Sequence, residues 1–457
     1  MAILADITPL RQSPPFRRLW WGQGLASIGG QFTAMAVSLE VYDLTKSTFM
    51  VGLLGFFSLV PLIVMGLYGG SLIDKYDRRV VALIASLVMW GATIGLAVEA
   101  WFHLDNVWIL YIMVAIQSGA SAVNMPARTA IIPRLIDRSL LPAANALNSA
   151  TWTIALMLGP VVGSALVAAF GYQWAYSIDV LTFTASLYAV FRLPSVRPLP
   201  SEDSEEEPVG GRSVVGGPEF PLYESPPKEE PVRGWRSVVD GFVFLATRPN
   251  VRMTFFMDLA AMILAQPVAL YPAIATTMIG GGATTAGWLA AFVAIGSVLA
   301  LVFSGPLGKI RRQGLVVAIM VIGWGLGILG FGVVLVLVGA TNPDHVIWWA
   351  LIASGVCLAF AGACDSVSSV FRNVILQSAT PDNLRGRLQG IFTVTVAGGP
   401  NLGRVVSGSL ARGFAGVSSV SLGLTALIGG GLCMVAAGVL TRVTPGFVKY
   451  DADNPEP

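Results

Sequence analysis

Twelve long apolar runs constrain how this chain can fold more than any other feature. Each run is long enough, as a helix, to cross the roughly 30 Å hydrocarbon core of a bilayer. The chain is 54% apolar and 12% charged, so one aqueous core cannot cover its apolar surface and lipid must be the solvent. The sequence therefore predicts an all-α integral membrane protein. The runs cover residues 19–43, 50–72, 80–101, 107–127, 144–169, 172–192, 251–276, 284–305, 314–338, 346–371, 388–411 and 416–441.

Lysine and arginine are concentrated in every second connection between these runs. They precede the first run and occupy the connections 2–3, 4–5, 6–7, 8–9 and 10–11, whereas the alternate connections hold almost none apart from Lys46 and Arg412. Positively charged connections stay in the cytoplasm. We therefore expect a multi-pass protein of the cell (cytoplasmic) membrane with both termini on the cytoplasmic side.

A polar interval divides the runs into six and six. We expect two bundles, residues 1–192 and 251–445, joined by a cytoplasmic linker over 193–250 and followed by a cytoplasmic tail over 446–457. The linker begins with a Pro-, Glu- and Ser-rich stretch that is typical of disorder. Its second part, "GWRSVVDGFVFLATRPN", has apolar residues at helical spacing and predicts a short helix on the inner membrane surface.

The two halves also resemble each other. The fifth run contains "GPVVGS" (159–164) and the eleventh contains "GPNLGR" (399–404) at the corresponding place. The 2–3 connection "GGSLIDKYDRR" has a shortened echo in "SGPLGKIRR" (304–312), and Arg128 after run four corresponds to Arg372 at the end of run ten. Duplicated six-span halves with a binding site between them are typical of transporters.

Several segments resemble a known family. Residues 70–79, "GSLIDKYDRR", resemble the G-x-L-x-D-[RK]-x-x-[RK]-[RK] signature of the major facilitator superfamily, and "LGPVVGS" resembles the G-P-x-x-G signature of its exporters. More narrowly, "ALYPAIA" (269–275) and "LQSATPDNLRGRLQGI" (376–391) resemble the branch of the enterobactin exporter and macrolide efflux proteins. The resemblance covers nearly the whole chain. It implies twelve transmembrane helices in two pseudo-symmetric six-helix bundles.

The resemblance implies a conformational latch in the 2–3 connection, with the Asp74 carboxylate facing the positive end of helix 11. The chain departs from the signature at Asp77, where glycine is usual, and the echo has Lys309 in place of an aspartate, so only one half can supply this contact. The alternative is a solvated, positive-inside turn. The residues assigned to the latch are Gly70, Asp74, Arg78, Arg79 and Arg128.

The exporter motif of run five consists of Gly159, Pro160 and Gly163. These residues remove side chains and one backbone donor from a single helix face, which permits bending and close packing. A pure packing role and a role in transport are both compatible with this pattern.

Runs 1, 4, 7 and 10 line the central cavity in the resembling fold, and in this chain they carry much of the buried polarity. The alternative for each residue is hydrogen bonding between helices without ligand contact. Arg404 in run eleven is a buried cation that needs a partner, which an anionic substrate or a carboxylate would supply. The candidates for the substrate cavity are Gln23, Ser27, Gln31, Gln117, Ser121, Asn124, Gln266, Ser369 and Arg404.

Three carboxyl groups within the spans are candidates for proton coupling: Asp258, Asp365 and Glu40. A carboxyl group in a cavity of low dielectric constant titrates closer to neutral pH and can exchange a proton during a transport cycle. Glu40 lies near the outer end of its run, so contact with interfacial water is its alternative.

The function that fits these features is export of an amphipathic small molecule, such as a siderophore or a macrolide, by alternating access and proton antiport. A nutrient or metabolite symporter or uniporter of the same fold is the alternative. An enzyme is disfavoured, because the two histidines lie in predicted outer loops and no GxxxxGK[ST] phosphate loop occurs. We expect no cofactor, no metal and no nucleic acid, with the cargo, protons and the bilayer as partners. The oligomeric state is open, and a monomer fits.

Overall fold

A computed structural model describes residues 6–193, 245–303, 310–378, 382–415 and 420–451. Within these ranges, side chains are described except at residues 67, 69–71, 73–74, 138 and 382–394. The predicted disordered linker and most of the predicted surface helix lie outside the described residues.

A helix covers each of the twelve predicted runs. Within the described residues, nine helices are long and apolar enough to cross a membrane. The other three, α1, α6 and α11, carry more polar side chains. The helices are α1 (Pro14–Thr45), α2 (Thr48–Lys75), α3 (Arg78–Phe102), α4 (Val107–Ile131), α5 (Leu141–Phe170), α6 (Tyr172–Phe191), α7 (Pro249–Thr277, interrupted), α8 (Gly282–Val302), α9 (Gln313–Val338), α10 (Trp348–Ser378), α11 (Asp382–Ala415) and α12 (Ser421–Val443).

The prediction of one continuous helix over run seven is wrong in detail, because α7 is broken in the middle. It is α-helical over Pro249–Leu259, passes through a π-helical turn over Ala260–Leu264, and becomes α-helical again over Tyr271–Thr277. Pro267 precedes the second part and Pro272 is its second residue, and each lacks the N–H that a continuous helix needs. Broken helices inside a membrane bundle are tolerated where neighbouring helices bury them.

The first six helices pack mainly on one another, as do the last six. In the first group α1 packs against α5 and α6, and α4 packs against α2 and α3. In the second group α9 packs against α10 and α12, and α8 packs against α10. The groups meet mainly through two helix pairs, α2 with α11 and α5 with α8.

Glycines allow both of these pairs to approach closely. A Cβ on Gly287 of α8 would lie 2.6 Å from the Pro160 carbonyl oxygen of α5, and one on Gly408 of α11 would lie 2.5 Å from the Thr48 carbonyl oxygen of α2. Both contacts lie towards the end of the bundle where α1 joins α2, termed the far end. The opposite end, where α2 joins α3, is termed the basic end. Small residues at such contacts are usual in membranes, where dispersion packing drives helix association.

Candidate functional site

Helices α7 and α10 hold a cluster of two carboxylates and one guanidinium, termed the carboxylate–arginine cluster: Asp258, Asp365 and Arg372. Asp365 and Arg372 are seven positions apart on α10 and so share a face. Arg372 Nη1 forms an ion pair with Asp258 Oδ1, and Arg372 Nη2 donates to Asp365 Oδ1 at 3.3 Å. The sequence predicts both aspartates as proton-coupling candidates, and the structure adds the arginine that joins them.

Exposure distinguishes the two aspartates. The side chains of Asp258 and Arg372 are each 2% exposed, whereas that of Asp365 is 31% exposed. Two ionised carboxylates around one guanidinium leave one uncompensated negative charge, which is costly at low dielectric constant. A proton on Asp365 would leave a neutral Asp258–Arg372 pair. Asp365 is therefore the more accessible of the two carboxylates, and a proton on it would remove the surplus negative charge of the cluster.

Gln266 lies at the break of α7 and is 9% exposed. Its amide has one weak described contact, 3.9 Å from Met262 Sδ. A Cβ on Gly403 of α11 would lie 2.0 Å from the Met262 carbonyl oxygen and 2.6 Å from Gln266 Cβ. The second copy of the duplicated motif thus lets α11 pack directly against the broken part of α7.

The α1 stripe retains free hydrogen-bonding capacity. Gln23, Ser27 and Gln31 are all partly buried, and none hydrogen-bonds to another described residue. Buried polar groups are rarely left without a partner. These three side chains are therefore available to water or to a bound molecule.

The α4 stripe is instead occupied by neighbouring helices. Gln117 Nε2 donates to Thr93 Oγ1 of α3 at 2.8 Å, and Asn124 Nδ2 donates to Ser86 Oγ of α3 at 2.6 Å. The Ser121 hydroxyl bonds to a carbonyl of its own helix. These bonds favour packing roles, the alternative that the sequence leaves open. Ser369 is partly buried on α10, one turn from Asp365.

The exporter motif on α5 packs against α1. A Cβ on Gly159 would lie 2.2 Å from Gln31 Cβ, and one on Gly163 would lie 2.7 Å from Phe32 Cα. Its copy on α11 makes the equivalent contact with α7 through Gly403. The motif therefore places α5 against the helix that carries the free polar stripe.

Glu40 belongs to a second acidic cluster, near the far end of the first six helices. Tyr176 of α6 donates a hydrogen bond to its carboxylate at 2.5 Å, and the carboxyl group of Glu99 on α3 lies within hydrogen-bonding reach. Glu99 is 1% exposed, and its Oε2 has no described hydrogen-bond donor. Sequence reasoning does not identify Glu99, because a single acid near the end of an apolar run looks like an interfacial residue.

Arg404 of α11 is an arginine without a described partner. Its Nε is shielded from solvent and has no hydrogen-bond partner, and no described carboxylate forms an ion pair with its guanidinium. Its Cβ would lie 3.1 Å from a Cβ on Gly55 of α2, so the residue sits where the two helix groups meet.

The described latch residues contact the basic ends of nearby helices. Arg78 Nη1 donates to the Ala130 carbonyl near the end of α4 at 3.2 Å, and Arg79 Nη2 donates to the Phe191 carbonyl at the end of α6. Cations are favourable at helix C-termini. Asp77, the departure from the signature, caps α3 by accepting from Arg79 N at 2.9 Å. The surroundings of Gly70 and the side chain of Asp74 are outside the described set, so the latch stays a prediction.

A large apolar cavity of about 810 Å³ lies apart from these polar groups, between α2, α3 and α4. It is lined by apolar side chains, among them the exposed Ile84 and Val88, with Asp77 at one end. Because it faces the exposed side of these helices, we assign it to contact with lipid.

Comparison with known sequences agrees with this arrangement. Residues 4–209 match the model of the transmembrane secretion effector family. The chain is 26% identical over 440 residues to an enterobactin exporter of Shigella boydii serotype 18, covering 96% of this chain and 95% of the relative. It is 25% identical to the enterobactin exporter of Salmonella typhi, covering 96% of both proteins. The predicted resemblance to the major facilitator superfamily is confirmed.

Comparison with solved structures supports the fold. A mutant of the nucleoside transporter NupG superposes with a TM-score of 0.69 at 15% identity, covering 94% of this chain and 99% of that one. An inward-facing bacterial homologue of the iron transporter ferroportin gives a TM-score of 0.63 at 14% identity, covering 94% and 98%. At these identities, the likeness is one of fold.

Proposed function

This chain is a membrane transporter with the fold of the major facilitator superfamily, and we propose that it exports an amphipathic small molecule from the cytoplasm. Export proceeds by alternating access and is driven by protons that move inward. The cargo class is that of siderophores and hydrophobic drugs such as macrolides. The basic end faces the cytoplasm, because its connections carry the lysine and arginine residues.

The carboxylate–arginine cluster is the observation that carries this proposal. Asp365 is its one partly exposed member, and protonating it removes the surplus charge on a pair of helices that lines the cavity in this fold. A proton and the cargo can then occupy the protein in different states, which is the requirement for antiport. Glu40, in contact with Glu99 and Tyr176, is the second candidate for proton coupling.

The direction of transport is proposed on two grounds. The relatives matched over 96% of the chain are named as exporters, and the matched family is described as a secretion effector family. The GPVVGS motif, which resembles an exporter signature, packs α5 against the polar stripe of α1 through Gly159. The glycine contacts at the far end would close that side, so cargo enters from the basic end.

Transport into proteoliposomes tests this function. With an acidic lumen, we expect uptake of enterobactin or of a hydrophobic antibiotic against its concentration gradient, because protons leaving the lumen drive it. Asp365→Asn should remove this gradient-driven uptake. Asp43→Asn should retain it, because Asp43 is an exposed residue paired with Lys46 near the far end.

Two results would count against the proposal. Equilibration of cargo at a rate independent of the pH gradient would rule out proton antiport. Gradient-driven movement of sugars or amino acids, with none of the amphipathic panel, would identify a nutrient transporter instead.

A further inference from the structure

Arg404 is set apart because its guanidinium has no described hydrogen-bond or ion-pair partner. The other buried charged groups within the spans have partners: Asp258 and Asp365 pair with Arg372, Asp179 accepts from Thr33 Oγ1 at 2.5 Å, and Arg128 donates to two serine hydroxyls. Glu40 accepts from Tyr176 and adjoins Glu99. Among the described residues, none of these carboxylates reaches Arg404. Arg404 is partly buried, and its Nε is shielded from solvent without a hydrogen-bond partner, which is costly within a membrane bundle.

Helical geometry directs Arg404 away from the lipid. Leu402 is 38% exposed and Ser409 is also exposed, so they mark the outer face of α11. Arg404 is two positions from Leu402, about 200° around the helix. It is therefore on the inner side of α11, beside Gly55 of α2 and between the two six-helix groups.

Two acids that lie in the helices, but whose side chains are not described, are too far along those helices to be the partner. Asp382 begins α11 and is 22 positions from Arg404, about 33 Å along the helix axis. Asp74 is 19 positions along α2 from Gly55, the residue that adjoins Arg404, which is about 28 Å. Neither α11 nor α2, the helix that Arg404 adjoins, therefore supplies an anion to the guanidinium.

We propose that Arg404 binds an acidic group of the cargo, which makes the substrates amphipathic organic anions. The inference rests on the proposed export function and specifies its cargo. A guanidinium binds a carboxylate or a pair of phenolate oxygens through two parallel hydrogen bonds, which no neutral cargo can form equally well.

The proposal has an electrical consequence. One monoanion moving out together with one proton moving in transfers two charges in the same electrical direction. A membrane potential that is negative inside therefore drives the exchange of an acid more strongly than the exchange of its neutral analogue.

Matched pairs of ligands test the role of Arg404. The probes are naphthoic acid, pyrenebutyric acid and their primary amides, and binding to the purified protein is followed by tryptophan quenching. We expect the wild type to bind each acid at least about tenfold more tightly than its amide, since hydrogen bonds to charged groups are the stronger ones. Arg404→Gln should bind acid and amide equally. Arg404→Lys keeps the charge and should restore part of the preference.

The matched control is Arg412→Gln, eight positions further along α11, where the exposed Arg412 guanidinium lies 5.0 Å from the Phe49 ring centroid. It should bind acids as the wild type does, and retained binding of the amides shows that each variant is folded. Equal binding of acid and amide by the wild type, a preserved preference in Arg404→Gln, or no binding of either acid would overturn the proposal.

Transport of the same pairs separates this inference from the proposed function. If acids and amides are both exported under a pH gradient at equal rates, export stands and the anion site fails. If wild-type binding shows the preference but neither probe moves under the gradient, the anion site stands and the export mechanism fails.

Discussion

Arg128 and Arg372 occupy corresponding places near the basic ends of α4 and α10, yet their partners differ. Arg128 Nη2 donates to two neutral hydroxyls, Ser86 Oγ at 3.0 Å and Ser186 Oγ at 2.8 Å. Arg372 pairs with two aspartates. The two halves therefore share an arginine at this place but differ in the residues that bind it.

This difference separates a fixed contact from one that can switch. A serine hydroxyl stays neutral over the physiological pH range, so the contacts of Arg128 do not change with protonation. The contacts of Arg372 include a partly exposed carboxylate whose charge depends on a proton. The last six helices would then carry the coupling chemistry, while this part of the first six forms a constant frame.

The largest expected effect comes from removing each arginine in turn. Arg372→Gln leaves two carboxylates without a cation and should lower the free energy of unfolding by about 3–5 kcal/mol. Arg128→Gln loses hydrogen bonds to hydroxyls and should cost about 1.5–3 kcal/mol. Unfolding by denaturant in mixed micelles measures both. A loss at Arg128 as large as that at Arg372 would erase the proposed contrast between the halves.

Substitutions of the two aspartates should have different effects, one mainly on the free energy of unfolding and the other mainly on proton coupling. Asp258→Asn breaks the fully buried ion pair and should cost about 3 kcal/mol or more of unfolding free energy. Asp365→Asn acts at a partly exposed group and should cost about 1 kcal/mol or less, while removing the response of transport to the pH gradient. Unfolding and gradient-driven uptake are measured on both variants. A normal pH response in Asp365→Asn, with a lost one in Asp258→Asn, would exchange their roles.

The duplicated glycines predict a smaller effect of the same size in each half. Gly163→Ala and Gly403→Ala place a Cβ 2.7 Å from Phe32 Cα and 2.0 Å from the Met262 carbonyl oxygen, respectively. Each should cost about 1–3 kcal/mol of unfolding free energy through overpacking. Gly431→Ala of α12 enters open space and is the control, with a change within about 0.5 kcal/mol. Equal behaviour of all three variants would contradict the close approach.

The smallest effect is expected at Ser186. Ser186→Ala removes one hydroxyl from Arg128, which keeps Ser86, and should lower the free energy of unfolding by about 1 kcal/mol. Proton-coupled uptake should be unchanged, since no titrating group is altered. A shifted dependence of uptake on pH in this variant would show that Arg128 belongs to the coupling apparatus.

Much of the fold follows from the sequence because lipid leaves few alternatives for apolar runs of this length. The twelve helices fall where hydropathy predicts them. The break in α7 is missed because apolar residues continue through it, although Pro267 and Pro272 are its local signal.

The candidate site is less predictable, because a polar stripe fixes a direction on its own helix and leaves the neighbour undetermined. Gln117 and Asn124 satisfy the spacing of a cavity stripe, yet their side chains bond to α3. Asp258 and Asp365 are distant in sequence, and only packing of α7 on α10 brings them to Arg372. The cluster is thus a tertiary feature, and the sequence positions of its members do not predict that they are in contact.

Infrared difference spectroscopy on the purified protein tests whether Asp365 exchanges a proton, since it records protonated carboxyl groups without any need for cargo. Stepping the pH through neutrality should reveal a carboxyl band that is present in the wild type and in Asp43→Asn. This band should be absent from Asp365→Asn. A band that persists unchanged in Asp365→Asn and disappears in Glu40→Gln would show that the carboxyl group that exchanges the proton is in the first six helices, contrary to the proposal.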